Sequence, residues 1–479
     1  MADKAEAASD SSGRASRASR QAGLARTLTL RDLIFLSFGG QAALLSLLSY
    51  ATGVIIYVGF AAPVVIVLGM LVVLFNALSV YGLSKRYGEA GGYYIYALYS
   101  MTRRLGLETG WTYVLYSVLY GAAYVMGATY ILRYALGLNP LLGSVLILFL
   151  SSLFLALGIR PSARYAEVAA SIELAALIFI IVADLAIVGF RLYNPLKVHW
   201  PSSGSLAAAI LFAVGIPTGY GSITPLAGEA LKKEDVGRAA ILVVVLGGLL
   251  AAGVVYSMID AGLYTNKINF ILSARVPVLD FMRLYYKDVA FVPLLFAAFN
   301  DGVLAPLSFM AATSRTIYAM AKNDMLPRQL GYVRGAHPMN AVLATIVLYA
   351  LVVLPALIIL MRPFTLFLIY GALAGMANLF VHISANVSYM VEETRALRRA
   401  LIYGSLKTFS WILRRLLGAL TGLVAALYSG WALISSLASQ QLRSESDVLL
   451  AWIIVGFLYA EVVDEIMGRS RVQERAQSS

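Results

Sequence analysis

Gly215-Ile216-Pro217-Thr218-Gly219-Tyr220-Gly221 lies inside an apolar segment, residues 205–228, that is long enough to cross a membrane. A helix needs roughly 20 apolar residues to span the hydrocarbon layer. No continuous helix would choose this stretch, because in a helix interior Gly costs about 1 kcal/mol and Pro about 3 relative to Ala. Irregular backbone at that depth persists only where it lines a cavity or is buried in protein. Three glycines and a proline therefore predict an unwound turn in mid-membrane. A second interruption, Gly39-Gly40 followed by Gln41 and Ala42, sits in the first apolar segment. There, close helix packing through small residues is an equal reading.

Working outward, the same length rule predicts about twelve spans. They run approximately over 33–57, 61–83, 108–131, 138–158, 165–190 and 205–228, then 238–263, 289–319, 341–360, 364–390, 415–438 and 447–467. The two interrupted spans are the first and the sixth. Of the 479 residues, 60% are hydrophobic and 13% charged. So few charges cannot clothe a water-exposed surface, but they suit a lipid-facing one. The fold class expected is an all-α polytopic membrane protein.

The net charge is +12, and its placement decides its meaning. With an even number of spans both termini share a side, and that side holds 28 of the 37 Lys and Arg. The positive-inside bias puts both termini in the cytoplasm. No aromatic-interleaved basic domain accompanies these charges, so nucleic acid is not an expected partner. Residues 1–27, rich in Ala, Ser and Arg, read as a disordered cytoplasmic tail with no signal-peptide pattern. The chain has no cysteine, which excludes disulfides, thiolate metal sites and Cys nucleophiles. It shows no HExxH motif and no serine triad either, so no enzyme, metal or cofactor is expected.

Four stretches resemble the amino acid–polyamine–organocation superfamily, the amino acid permeases. Gly88-Glu89-Ala90-Gly91-Gly92-Tyr93-Tyr94-Ile95-Tyr96 is similar to the P-x-A-G-G-x-Y-x-Y signature after span two. Span three opens with Gly106 and Gly110-Trp111. Span six has Gly219-Tyr220 and ends at Gly228-Glu229. Ser314-Arg315 leads through Tyr318-Ala319-Met320-Ala321 to Leu326-Pro327, and His337-Pro338 precedes Ala341-Val342. The resemblance implies a LeuT-type fold of two inverted repeats, residues 28–200 and 201–400, followed by two extra helices and a short tail over 401–479. It also implies a site at the bilayer midplane between the broken helices. Two departures stand out. In that family the first helix carries further glycines whose exposed N–H groups bind a substrate carboxylate, and here they are absent after Gly40. Gly228 stands where the family has an acid.

The substrate contacts expected are therefore Gly39, Gly40, Gln41 and Ala42 of span one, and Gly215, Ile216, Pro217, Thr218, Gly219 and Tyr220 of span six. Replacing Gly219 with Leu is expected to abolish binding and spare the fold. Tyr113, Tyr116, Tyr120 and Tyr124 share one face of span three. Tyr116 and Tyr120 are expected to face substrate, and the other two to pack. Asn300 and Asp301 lie near the middle of span eight, where a charge is a functional-site hypothesis by default. Ser308 is two turns further along and is a candidate ion ligand by analogy with sodium-coupled relatives. His382, with Asn378 and Asn386, reads as a packing network on span ten. Arg315 and Glu229 read as an inner gate or a structural ion pair.

Glu173 lies roughly ten residues, or about 15 Å, into span five. That is half of the roughly 30 Å hydrocarbon core. By the resemblance it stands where proton-coupled permeases often carry a lysine, which marks it as a candidate coupling carboxyl for a proton or sodium.

The expected function is secondary active transport of an amino acid, an amine or a related small solute across the plasma membrane, with membrane lipid as the other partner. A substrate-sensing receptor on the same fold and an exchanger without ion coupling are the alternatives. The oligomeric state is left open. The orientation is directly testable, since single cysteines can be introduced into a cysteine-free chain. A membrane-impermeant maleimide should label Lys267→Cys in intact cells but not Arg14→Cys or Lys322→Cys, and the reverse pattern would invert the topology.

Overall fold

The computed structural model describes residues 23–478 apart from 199, 201, 275 and 404–407. The part of the expected tail up to residue 22 lies outside the described residues. Among those residues there is no β-strand, only two isolated bridges, Leu28 with Ala230 and Arg334 with His337. Ten helices are long and apolar enough to cross a membrane. The first of them, Leu30–Ser84, makes two passes, 30–58 and Ala62–Ser84. The chain reverses between them at Gly59, where φ is +53° and glycine carries no steric penalty. The remaining pass, span six, is too short to count as a long helix because its α-helix, Ser203–Gly215, stops after 13 residues. The protein is thus an all-α polytopic membrane protein, with twelve passes among the described residues.

Spans three, four and five are Arg103–Leu136, Pro140–Leu157 and Ile159–Ile187. Seven to ten are Glu234–Tyr264, Pro277–Lys322, Met339–Leu360 and Pro363–Ile402, and the last two are Phe409–Leu437 and Arg443–Ser478. The helix from Pro277 is broken at Lys287, where φ is +49°, so that the membrane pass of span eight runs from Phe291 to Lys322, close to the expected 289–319. The helix of span twelve runs past the expected 467 into the short tail.

Polarity places the layers. Spans three and eight are the least apolar of the long spans, yet they are the most deeply buried. Spans five, nine, eleven and twelve are more apolar and mostly exposed on the outside of the bundle. Hydrocarbon solvates apolar side chains and rejects polar ones, so the tyrosine- and serine-bearing helices go to the centre. Span twelve is fastened to span three by a reciprocal clasp. The indoles of Trp111 and Trp452 stack at 4.6 Å, and each donates its N–H to the other's backbone carbonyl, at 3.1 and 3.2 Å.

The tail expectation is corrected at its inner end. Thr27 and Leu28 donate their N–H groups to the Glu229 carbonyl at 2.8 and 2.9 Å, and Leu231 N–H returns to the Leu28 carbonyl at 2.8 Å. Leu28 is fully buried, and Leu24 packs against the Tyr318 cluster. This stretch is thus sutured to the end of span six.

The break in span one also differs from expectation. Gly39, Gly40 and Gln41 are helical, and the chain turns at Ala42, with φ 47° and ψ 63°. A left-handed L-residue costs about 1–2 kcal/mol, so nothing in an alanine announces it. The two glycines serve packing. A Cβ on Gly39 would lie 2.3 Å from Leu304 Cγ, and one on Gly40 would lie 2.5 Å from Ser222 Oγ.

Span six unwinds where expected. After Gly215 the chain proceeds through 3-10 turns at Tyr220–Ser222 and Thr224–Glu229. The two breaks meet directly, because a Cβ on Gly219 would lie 2.1 Å from the backbone nitrogen of Gln41. The expectation that Gly219→Leu spares the fold is therefore reversed. Even Gly219→Ala should lower the melting temperature and folded yield in detergent, whereas Gly375→Ala, with nothing within 4 Å of its Cβ, should not. Wild-type melting of Gly219→Leu would contradict this close approach.

Candidate functional site

A helix interrupted in mid-membrane leaves backbone N–H and C=O groups that lipid cannot satisfy. The protein supplies partners for both ends of the span-one break. The free carbonyl of Gln41 accepts from Ser46 Oγ at 2.9 Å and from the Tyr124 hydroxyl at 3.2 Å. On the other side the amides of the resumed helix point at two carboxylates. Leu44 N–H donates to Glu173 Oε1 at 2.8 Å, and Leu45 N–H donates to Asp301 Oδ2 at 3.1 Å. Carboxylates suit this end of a helix, where the unpaired amides carry partial positive charge.

Glu173 comes from span five and Asp301 from span eight, and their carboxyl groups face each other. Both side chains are essentially fully buried. Glu173 Oε2 and Asp301 Oδ1 have no hydrogen-bond partner, and among the described residues neither acid pairs with an arginine or lysine. Two carboxylates so placed, away from water, require a proton or a cation between them.

The tyrosine stripe of span three bridges the two breaks. Tyr113 donates to the Gly221 carbonyl at 2.8 Å in span six, and Tyr124 reaches Gln41 in span one. Tyr120 bonds Tyr124 at 3.1 Å. The Tyr116 hydroxyl has no partner and lies 3.0 Å from where a Cβ of Gly221 would sit. The rings pack edge to face from Tyr113 to Tyr124 at 5.0–5.6 Å, and Phe309 of span eight closes on Tyr116 and Tyr120 at 5.5 and 4.7 Å.

Several expected contacts are placed elsewhere. Asn300 accepts from the Tyr165 hydroxyl at 2.6 Å and so braces span five. The Gln41 side chain is directed at Gly247 of span seven, where its amide has no partner. Thr218 Oγ1 bonds the Val214 carbonyl at 2.6 Å, and Ile216 and Pro217 are buried in the turn. Gly215 lies under the Tyr50 ring. The Tyr220 hydroxyl bonds His382 Nε2 at 2.9 Å, tying span six to span ten. Asn386 bonds Asn76 of span two at 2.8 Å, a packing link like the one read from the sequence. Ser308 Oγ donates to the Leu36 carbonyl at 3.0 Å and joins spans eight and one.

Sequence reasoning assigned Tyr113 and Tyr124 to packing, although they are the two that touch the broken backbone. Ser46 and Phe309, which also meet the site, carry no pattern in the sequence that would single them out. The stripe's spacing was the only available signal, and it could not say which hydroxyl meets which break.

The site is closed on both sides. On the side of the tails, Arg315 Nε and Nη2 bond Glu229 Oε2 and Oε1 at 2.8 and 2.9 Å, with both side chains 1% exposed. Beyond this pair opens a cavity of about 360 Å³ lined by Arg26, Glu89, Tyr318 and Lys322 among others. On the opposite side a cavity of about 40 Å³ is lined by Leu45, Thr52, Tyr130, Phe364 and Phe367 among others.

No curated protein matches the chain. The family model described as "Amino acid permease" matches residues 32–463, from the first turn of span one to Val463 within span twelve. The match takes in both broken helices and the carboxylate pair, and the chain belongs to the amino acid permease family of the amino acid–polyamine–organocation superfamily, whose members carry amino acids across membranes.

Proposed function

We propose that the protein is a secondary active transporter of amino acids or related small organic solutes, working by alternating access across the plasma membrane and coupled to a proton. The observation that carries this reading is the buried pair Glu173 and Asp301, which hold the amides of the broken helix with one oxygen each and leave the other oxygen unpartnered. A carboxylate accepts a strong, charge-assisted bond from a backbone N–H, and a protonated carboxyl accepts a weaker one. Proton arrival at Glu173 therefore loosens its hold on the outer half of span one, and proton departure restores it. Of the tyrosines around this pair, Tyr124 bonds the Gln41 carbonyl across the break and Tyr165 bonds Asn300, the neighbour of Asp301.

The rest of the architecture supports the same cycle. Residues 28–200 and 201–400 form the two inverted repeats in this reading, with the breaks in the first helix of each. Binding at a contact between broken helices, with rocking of the surrounding bundle, is the general scheme for such folds. The inner closure is the Arg315–Glu229 pair together with the sutured segment at Leu28, and the outer closure is the aromatic cap over Leu45. Both termini lie in the cytoplasm.

Glu173→Gln tests the coupling, because an amide oxygen can still cap Leu44 while the side chain can no longer exchange a proton. In liposomes the variant should retain substrate exchange and lose accumulation driven by an imposed pH gradient. Accumulation driven by pH alone in the variant would disprove the coupling role. Equal loss of exchange would mark Glu173 as structural. Wild-type accumulation that follows sodium and ignores pH would replace the proton by sodium.

A further inference from the structure

We propose that the tail-side cavity beyond the Arg315–Glu229 pair binds an α-amino acid with an apolar side chain and, when filled, holds the inner closure shut. The chemistry of this site stands on the cavity itself, and only its gating consequence rests on the transport reading above. At about 360 Å³ the cavity is near the lower end of the roughly 300–1,000 Å³ usual for ligand pockets, so it suits a small metabolite.

Its rim carries charges of both signs that do not neutralise each other. Arg26, Glu89 and Lys322 all line the cavity and are exposed, yet among the described residues no ion pair joins any two of them. Lys322 Nζ lies 5.6 Å from the centre of the Tyr318 ring. Glu89 Oε2 accepts from the Tyr99 hydroxyl at 2.9 Å, which leaves its other oxygen open. The floor has a different character. Ala90, Ile95 and Ala319 are buried there, and Leu24 adds a further apolar surface.

This combination discriminates between ligand classes. A phosphate would suit the two cations but would be repelled by Glu89 and would have no use for the floor. An amine without an acid group would set its charge against two cations and one carboxylate. A zwitterion with an apolar body matches every wall. Its carboxylate suits the planar fork of Arg26 and the point charge of Lys322. Its ammonium brings donors for Glu89, and its side chain covers the floor.

The walls belong to parts of the chain that are held together only by the inner closure. Arg26 directly precedes Thr27 and Leu28, which are bonded to the Glu229 carbonyl at the end of span six. Lys322 ends span eight, and Glu89 lies in the turn after span two. A ligand spanning Arg26, Lys322 and Glu89 therefore binds the closed arrangement and not an open one. Such a ligand lowers the open fraction by the factor 1 + [L]/Kd, about elevenfold at ten times Kd. In the proposed cycle, amino acid accumulating on the tail side would slow its own further entry.

The cysteine-free chain supplies the reporter, because Gly23 lines the cavity and a Cβ on it meets nothing within 4 Å. Purified full-length Gly23→Cys is labelled with a soluble maleimide in the presence of L-alanine, L-leucine or L-phenylalanine. At least one should slow labelling saturably, by about tenfold. Its two halves should not, as with isoamylamine and 4-methylpentanoate for leucine. Adding Arg26→Gln should raise the half-protecting concentration by about tenfold or more, with an unchanged melting temperature. Absence of saturable protection by all three overturns the proposal. So does protection by either half equal to that of the amino acid, or undiminished protection in Arg26→Gln, which would put the ligand elsewhere.

Uptake of labelled standard amino acids into right-side-out vesicles separates the site from the transport reading. Loading the protecting amino acid inside should slow initial uptake in wild type but not in Arg26→Gln. Equal slowing in both, or none in wild type, overturns the gating role. Uptake without protection sinks the proposal and leaves transport standing. Protection with no uptake of any standard amino acid sustains the site and defeats the transport reading.

Discussion

A helix broken in the middle of a membrane must bring its own solvent. Every feature of the centre follows from satisfying the four or so peptide groups around Ala42 where no water reaches. Hydroxyls take the carbonyl side, and the carboxyls of Glu173 and Asp301 take the amide side. The left-handed Ala42 persists because these partners come from spans three, five and eight at once, so the turn is held by helices far apart in the chain.

That same solution creates the chemistry. Two acids brought together to cap one helix end, each with an oxygen left unpartnered, favour the presence of a positive charge or a proton between them. Structure and function are therefore not separable at Glu173. Its bond to Leu44 stabilises the break, and changing its charge changes the strength of that bond. In the proposed cycle, a coupling group that also fastens the half-helix would link chemical state to conformation without a separate relay.

The closures obey a different constraint. Arg315 and Glu229 are buried as a bidentate pair, and losing either partner of such a pair costs about 3–5 kcal/mol. In the proposed cycle, opening on that side would bring water to both groups together and release the Leu28 contacts in the same movement. On the opposite side the rings of Tyr130, Phe364 and Phe367 line a small cavity, and rings part without leaving a charge unpaired.

The sequence alone was sufficient for whatever depends on local composition and period. Apolar lengths located the twelve passes, and the Gly-Pro-Gly run after residue 214 located the break in span six, because propensity penalties act within a few residues. The depth of Glu173 and Asp301 was legible in the same way, since rise per residue measures position in a membrane. Tertiary structure decided the rest. The span-one break fell at Ala42, after the glycines, because its position depends on capping groups 80 to 260 residues away and not on local preference. Gly219 became a contact between the two breaks because its neighbour is Gln41 of another helix. Tyr113 and Tyr124, indistinguishable from Tyr116 and Tyr120 by spacing, acquired different roles from the carbonyls that each happens to face. That two acids meet on one helix turn is a fact of packing between spans one, five and eight, and no pattern along the chain encodes a distance across it.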